Sequence, residues 1–153
     1  MKWVVLLLLA CAGCATTPDA RAVMGPCSQA RLAREFPLEA AFQGCYGVVD
    51  GPRELHSAQI VLLTSIPSEV LVDEPPRYQL ATLGPFVPAF APSWEQLSNT
   101  HARLLWMQGA TGVEMCVQMQ GEWLKGHIVV LTDQPPFVQV AGPVTLAKQP
   151  CPS

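Results

Sequence analysis

Apolar and polar residues alternate in short runs along most of this chain of 153 residues. In residues 113–119, apolar side chains fall at every second position, beginning with Val113. A period of two is typical of a β-strand with one buried face. Gln120-Gly121 then forms a tight connection to a second apolar run at residues 123–131. This pattern predicts two strands joined by a short turn.

The remaining apolar runs are also bounded by turn residues. They are residues 44–49, 59–64, 77–82, 101–106, 137–141 and 144–146. A break at Gly142-Pro143 separates the last two runs, and residues 84–93, which contain three prolines, predict a long irregular connection. Strands at this spacing predict a mainly β domain, an antiparallel meander that closes as a small barrel. A β-sandwich fits the same pattern.

One short helix is predicted before the first strand. Ser28 is a suitable N-cap, apolar residues from position 30 onward recur at helical spacing, and Pro37 ends the segment. We therefore expect a packed helix over residues 29–36. The preceding residues 15–26, which contain two prolines and a glycine, predict a tether.

The first fourteen residues follow another pattern. Lys2 precedes an unbroken apolar run at residues 3–10, and small residues follow as far as Cys14. This order is typical of a secretory signal peptide. A helix that spans a bilayer needs about 20 apolar residues, and the small and polar residues 15–19 follow Cys14 at once. The segment therefore predicts export and not a membrane-spanning anchor.

The motif Ala12-Gly13-Cys14 resembles the lipobox of bacterial lipoproteins, whose cysteine receives a lipid. Cys11 stands where that family usually has an aliphatic residue, and residues 8–11 offer a second frame that ends at Cys11. The resemblance implies that residues 1–13 are removed as a signal peptide. It also implies that Cys14, or Cys11 in the alternative frame, carries a fatty acid such as palmitate.

The residue after the lipidated cysteine sorts such lipoproteins, because Asp there tends to retain them in the inner membrane. Here that residue is Ala15, or Ala12 in the alternative frame. The resemblance therefore implies a lipid anchor at the periplasmic face of the outer membrane. The chain would then consist of the signal peptide, a tether over residues 14–26 and a single β domain over residues 27–153.

Composition excludes two classes of protein. Half of the residues are apolar and 14% are charged, which is unlike a disordered chain. The 9 Lys and Arg residues face 12 Asp and Glu residues, and removal of Lys2 leaves 8 against 12, a net charge of −4. Because no basic run is present, a nucleic acid partner is not expected.

The cysteines predict two disulfide bonds. Two of the six lie in the signal peptide, and Cys27, Cys45, Cys116 and Cys151 remain in a chain bound for an oxidising compartment. Their spacing does not match a structural zinc site. A closed meander brings the first strand beside the last, which favours Cys45–Cys151 and leaves Cys27–Cys116, although four cysteines allow three connectivities.

Candidate chemistry is sparse. The chain lacks the short motifs of hydrolases, metalloproteases and nucleotide-binding proteins, so we expect no catalytic, metal or cofactor site. The histidines are scattered, and the carboxylates lie at predicted turns or on polar strand faces, so none is assigned a role. They are His56, His101, His127, Asp50, Glu114 and Asp133. The aromatic residues are expected to fill the core and not to line a pocket; they are Tyr46, Tyr78, Trp94, Trp106 and Trp123.

The mature domain resembles small lipocalin-like lipoprotein barrels in three places. Gly44-Cys45-Tyr46 begins the first strand, Gly126 lies within a late strand, and a cysteine stands near the C-terminus. The Gly-x-Trp signature of lipocalins is absent, so the resemblance implies a fold only. We expect a non-enzymatic envelope lipoprotein that binds a small apolar ligand or a protein partner. An assembly accessory of an envelope complex, docking through a strand edge or residues 84–93, is the alternative, and an envelope hydrolase comes third.

Overall fold

The computed structural model describes residues 19, 22, 23, 25, 27, 40–53, 60–68, 76–83, 92–109 and 111–152. These residues form a closed barrel of eight antiparallel strands, each paired with the next in sequence and the last paired with the first. The strands are β1 (Gly44–Asp50), β2 (Ile60–Pro67), β3 (Tyr78–Leu83), β4 (Ser93–Gln96), β5 (His101–Gln108), β6 (Thr111–Gln120), β7 (Trp123–Leu131) and β8 (Val138–Gln149). The predicted barrel is confirmed, and the sandwich alternative was wrong.

The connection between β6 and β7 is the predicted tight turn. Gln120 pairs with Trp123, so Gly121 and Glu122 alone form the loop. Gly121 has a φ of 63°, in the left-handed region that two-residue hairpin turns require and that glycine adopts without a steric penalty. The turn fixes the register over the whole length of β6 and β7.

Strand β4 lies where the sequence predicts the end of an irregular connection. It has four residues, and only Trp94 contributes a large apolar side chain. Such a short strand contains too few positions to display a period of two. Its pairing comes from the neighbouring strands, with Trp94 opposite both Tyr78 of β3 and Leu104 of β5.

The predicted break at Gly142-Pro143 is wrong, because β8 is one strand of 12 residues. Ile128 of β7 pairs with Gly142 and the next residue, Val129, pairs with Val140, so Ala141 is an extra residue in β8. A β-bulge of this kind interrupts the ladder locally and accommodates a proline within a strand. Both apolar runs therefore belong to the same strand.

Fewer residues are described before β1. The predicted helix over residues 29–36 lies outside the described residues. Positions 22, 23 and 25 of the predicted tether have helical conformation, as does position 27 directly after it, and the Val23 N–H donates to the Asp19 carbonyl at 3.1 Å. Among the described residues, no helix combines the length and apolar character that crossing a membrane would require.

Alternate side chains from every strand fill the inside of the barrel. The buried core consists of Phe42, Tyr46, Val61, Leu63, Leu80, Trp94, Ala102, Leu104, Trp106, Met115, Val117, Leu124, Ile128, Val144 and Leu146. The indole N–H of Trp94 donates to the Thr64 carbonyl at 2.9 Å, and that of Trp106 donates to the Thr82 hydroxyl at 2.9 Å. Each buried indole thus has a partner, as burial of its polar N–H requires.

Most of the aromatic residues lie in the core as predicted. Tyr46, Trp94 and Trp106 are buried and Tyr78 packs against them, whereas Trp123 lies on the outer wall and is 43% exposed. Trp123 differs because its partner Gln120 occupies the outward-facing set of positions on β6.

A 3-10 turn, Ala40–Phe42, extends the core beyond the start of β1. Phe42 is fully buried, with its ring centroid 6.2 Å from that of Trp94. The Tyr46 hydroxyl donates to the Phe42 carbonyl at 3.0 Å. Burial, assisted by the negative charge of Glu122, raises the pKa of Tyr46 to about 12. The phenol therefore remains a protonated donor at neutral pH.

Both predicted disulfide bonds are present with the favoured connectivity. Cys45–Cys151 joins β1 to the chain that leaves β8, with a Cα–Cα distance of 5.1 Å. Cys27–Cys116 attaches the N-terminal segment to the outer face of β6, with a Cα–Cα distance of 5.9 Å. The first bond fastens the seam that closes the barrel, and the second fixes the N-terminal segment to the wall.

Replacement of Gly126 by Ala is expected to destabilise the barrel strongly. A Cβ atom there would lie within van der Waals overlap of the backbone carbonyl of Cys116, which cannot move without breaking the β6–β7 ladder. We expect a loss of several kcal/mol in the free energy of unfolding, since overpacking alone costs about 1–3 kcal/mol. Urea denaturation measures this loss.

Gly47→Ala is the matched control, because its added Cβ would meet only the end of the Gln149 side chain, which can rotate away. Equal losses for the two variants would show that the close approach at Gly126 does not determine its effect.

Candidate functional site

The polar outer face of β5 to β8 carries a lateral row of four side chains. His101 pairs with Gln118, Gln118 with Lys125, and Lys125 with Thr145. These residues occupy the outward-facing positions, since the inward-facing positions belong to the core. Neighbouring strands lie about 4.8 Å apart, so register alone places four hydrogen-bonding groups side by side.

A second row lies two residues further along the same strands. It contains Arg103, Cys116, His127 and Pro143, which are consecutive partners in the register. Cys116 is bonded to Cys27, so this row is where the N-terminal segment meets the wall. His127 therefore lies next to the disulfide bond and one row from His101.

A groove of about 360 Å³ runs between these rows and the N-terminal segment. Its described lining residues are Val23, His101, Cys116, Val117, Gln118, Lys125, Gly126, His127, Pro143, Val144 and Thr145. The volume falls in the range of about 300–1,000 Å³ that is usual for small-molecule sites. Val23 forms part of one side of the groove, and the Cys27–Cys116 bond holds the chain four residues beyond it.

Hydrogen bonds to the preceding turn hold the ring of His101. The Ser98 hydroxyl oxygen accepts from the backbone N–H groups of Thr100 at 3.2 Å and His101 at 3.0 Å. His101 Nδ1 lies 3.3 Å from that oxygen and 3.0 Å from the Thr100 hydroxyl oxygen. Because the Ser98 oxygen already accepts twice, we assign its hydroxyl as the donor to Nδ1. The neutral ring then carries its proton on Nε2.

Among the described residues, the histidines are not part of a metal-binding cluster. His101 and His127 lie on strands separated by β6 and in different rows, and His56 lies outside the described residues. Within the described ranges, no group of three or more His, Cys, Asp or Glu side chains is close enough to hold a metal ion. The two histidines contribute instead to the polar lining of one groove.

A buried ion network lies beside the groove on the outer wall. Glu95 of β4 and Arg103 of β5 are cross-strand partners and form an ion pair. Arg103 Nη1 also lies 3.5 Å from Glu114 Oε1, and Arg77 Nε lies 4.0 Å from Glu95 Oε2. Glu95 is fully buried, and Arg103 and Glu114 are each less than 7% exposed. Two positive and two negative charges therefore neutralise one another.

Burial of outward-facing side chains requires that something covers this part of the wall. Leu97, Leu105 and Val129 are also buried there, and Leu97 packs with Cys27 and Cys116. Each charge removed from water costs several kcal/mol unless it is paired. The network consequently neutralises charge that is buried in this part of the wall, and none of its carboxylates is a solvent-exposed general base.

Sequence reasoning did not anticipate this network. The alternation along residues 113–119 predicts a polar strand face for Glu114, and Glu114 does point outward, but it is buried and paired with Arg103. A sequence pattern that indicates burial of this wall is Leu104-Leu105-Trp106. These residues are apolar on both faces of β5, which is typical of a strand covered on both sides. Asp50 and Asp133, by contrast, are exposed and are not among the groove-lining residues, although Asp50 pairs with the lining residue Thr145.

No known protein family, curated protein or solved structure matches this chain. The proposed lipidation sites Cys14 and Cys11 lie outside the described residues. The described residues form two features that bear on function. One is a polar groove, and the other is a buried ion network whose charges neutralise one another.

Removal of one charge from the network is expected to destabilise the protein. Glu95→Gln keeps the shape of the side chain but leaves Arg103 with Glu114 as its remaining carboxylate partner among the described residues. Breaking a buried ion pair costs about 3–5 kcal/mol, and we expect a loss of that size in urea denaturation at pH 7. Glu122→Gln, at an exposed position, should change stability by less than about 0.5 kcal/mol. A change at Glu95 as small as that control would contradict the proposed role.

Proposed function

We propose that this protein is a lipoprotein anchored at the periplasmic face of the outer membrane, with a non-enzymatic barrel that binds small molecules in its outer-wall groove. The signal-like N-terminus and the residue after Cys14 support the address. Two disulfide bonds support an oxidising compartment, because such bonds persist there and are rare in the cytosol. The lipid anchor binds the protein to the membrane, which is therefore one of its partners.

The groove between His101, Lys125 and Val23 is the observation that carries the binding proposal. Barrels that bind apolar ligands internally need interior space, but here large side chains occupy the interior. Trp94, Tyr46 and Leu104 are each no more than 1% exposed. A site on the outer wall therefore replaces the barrel interior as the proposed binding site.

The chemistry of the groove supports binding and not catalysis. Its described thiol, Cys116, is oxidised, so it is not a nucleophile. None of its described lining residues carries a carboxylate that could serve as a general base, and the nearby Glu114 is paired with Arg103. Hydrogen-bond donors beside apolar side chains can instead orient a bound molecule.

A protein-docking role is the second candidate, and a separate observation favours it. Phe137 is 61% exposed and Val138 is also exposed, both at the hairpin between β7 and β8. The Thr132 hydroxyl, bonded to the carbonyl oxygens of Gln134 and Pro136, stabilises this loop. An ordered loop with an exposed Phe is suited to a protein partner. Loss of partner capture in Phe137→Ser would support this role.

Lipidation is tested by metabolic labelling with a palmitate analogue in a bacterial host. We expect label on the parent chain, no label on Cys14→Ser and full label on Cys11→Ser, because the longer frame places small residues immediately before the modified cysteine. Label that persists in Cys14→Ser and disappears in Cys11→Ser would move the anchor to Cys11. Absence of label from the parent would contradict the proposed address.

Binding in the groove is tested by NMR on the mature chain in detergent micelles, with 2-propanol, sodium acetate and inorganic phosphate as probes. At least one probe is expected to shift the backbone amides of Gln118, Lys125 and Gly126, while interior amides such as that of Leu104 remain unchanged. Thr145→Trp should abolish these shifts by filling the groove.

Gln139→Trp is the matched control, since it adds the same bulk at an exposed position of the same strand. Shifts confined to interior residues, or equal loss of the shifts in the two Trp variants, would contradict a groove site.

A further inference from the structure

We propose that the groove recognises an oxyanion, a phosphate or carboxylate group attached to a small apolar body. This inference rests on the proposed function, because it assigns a ligand class to the same groove. Three observations carry it: the donors in the first row, the neutralisation of nearby carboxylates and the apolar side of the lining.

The first row presents hydrogen-bond donors across four adjacent strands. Lys125 contributes an ammonium group, Gln118 an amide N–H and Thr145 a hydroxyl, and register places them side by side. His101 adds an Nε2–H on our assignment of its Nδ1 as the acceptor of the Ser98 hydroxyl. An oxyanion accepts several hydrogen bonds at once, and those from a charged donor are the strongest.

The described groove lining carries a positive charge although the whole chain is acidic. Lys125 is a formal cation, and the described lining contains no carboxylate. The closest carboxylate along β6 is Glu114, two residues from Cys116, and it is neutralised by Arg103 at 3.5 Å. The exposed Asp50 pairs with Thr145 at one end of the row, so a bound anion would lie at the Lys125 and Gln118 part of the row, away from that carboxylate.

Apolar lining limits the rest of the ligand. Val23 and Pro143 contribute apolar side chains to the same groove as the donors. A fully polar anion would leave these side chains unused, whereas a phosphate ester or carboxylic acid with a short apolar part would contact both. A membrane lipid headgroup and a free metabolite share this chemistry.

The test uses the mature chain in neutral detergent micelles, with inorganic phosphate, phosphatidylglycerol and 2-propanol added separately and followed by NMR. We expect inorganic phosphate to shift the amides of Gln118, Lys125 and Thr145. Lys125→Met should weaken phosphate binding about tenfold or more, because a hydrogen bond from a charged donor is lost. His101→Gln should weaken it less, since Nε2–H is a neutral donor.

Arg53→Met is the matched control, because Arg53 is an exposed cation outside the groove lining. Equal weakening in Lys125→Met and Arg53→Met would overturn the inference, since general charge attraction would then explain binding. Groove shifts with 2-propanol but not with phosphate would overturn it while leaving the proposed function intact. Absence of groove shifts with every probe would overturn both.

Shifts with phosphatidylglycerol at lower concentrations than with inorganic phosphate would identify a lipid headgroup as the source of the anion. The reverse order would identify a soluble ligand. Either order supports the inference, provided that Lys125→Met weakens binding and Arg53→Met does not.

Discussion

The pairing of β1 with β8 is the constraint on which this structure depends. It gives the edge backbone groups of both strands a hydrogen-bonding partner and converts an open meander into a barrel. Closure divides every strand into an inward and an outward set of side chains, and the inward set must fill a fixed volume. The Cys45–Cys151 bond reinforces this seam at the end where β1 begins. The packed interior and the polar outer rows both follow from closure.

The outer wall is specialised around the second disulfide bond. On one side of Cys116, in the direction of β4 and β5, buried leucines and the Glu95–Arg103 pair indicate a covered surface. On the other side, in the direction of β7 and β8, polar side chains remain accessible in the groove. The Cys27–Cys116 bond therefore lies between two parts of the wall. One part is buried and charge-neutral, and the other is open and contains Lys125. The polar and charged side chains described here therefore lie on the outer face of the barrel, because apolar side chains fill its interior.

The parts of the fold that sequence predicts are those with a local signal. Residues of β6 alternate strictly, and a turn glycine follows, so that strand and its hairpin are predictable. Strand β4 is too short to show a period, and the bulge at Ala141 has no local signal apart from the glycine and proline that follow it, which suggest a break. The disulfide pairing is predictable because closure places Cys45 near the C-terminus. The groove is not, since its residues come from four strands and only the register brings them together. The burial of Glu95 is unpredictable for a similar reason, because its ion-pair partner Arg103 lies on the neighbouring strand β5.

Val23 connects the groove to the proposed anchor in a way that has a consequence for position. Val23 follows Cys14 by nine positions, and a chain of nine residues spans at most about 32 Å even when fully stretched. With a lipid on Cys14, the groove would remain within that distance of the bilayer surface, whatever the rest of the barrel does. The tether would thus confine the site to the layer of periplasm that borders the lipid headgroups. Molecules concentrated in that layer would meet the groove far more often than those in the bulk periplasm.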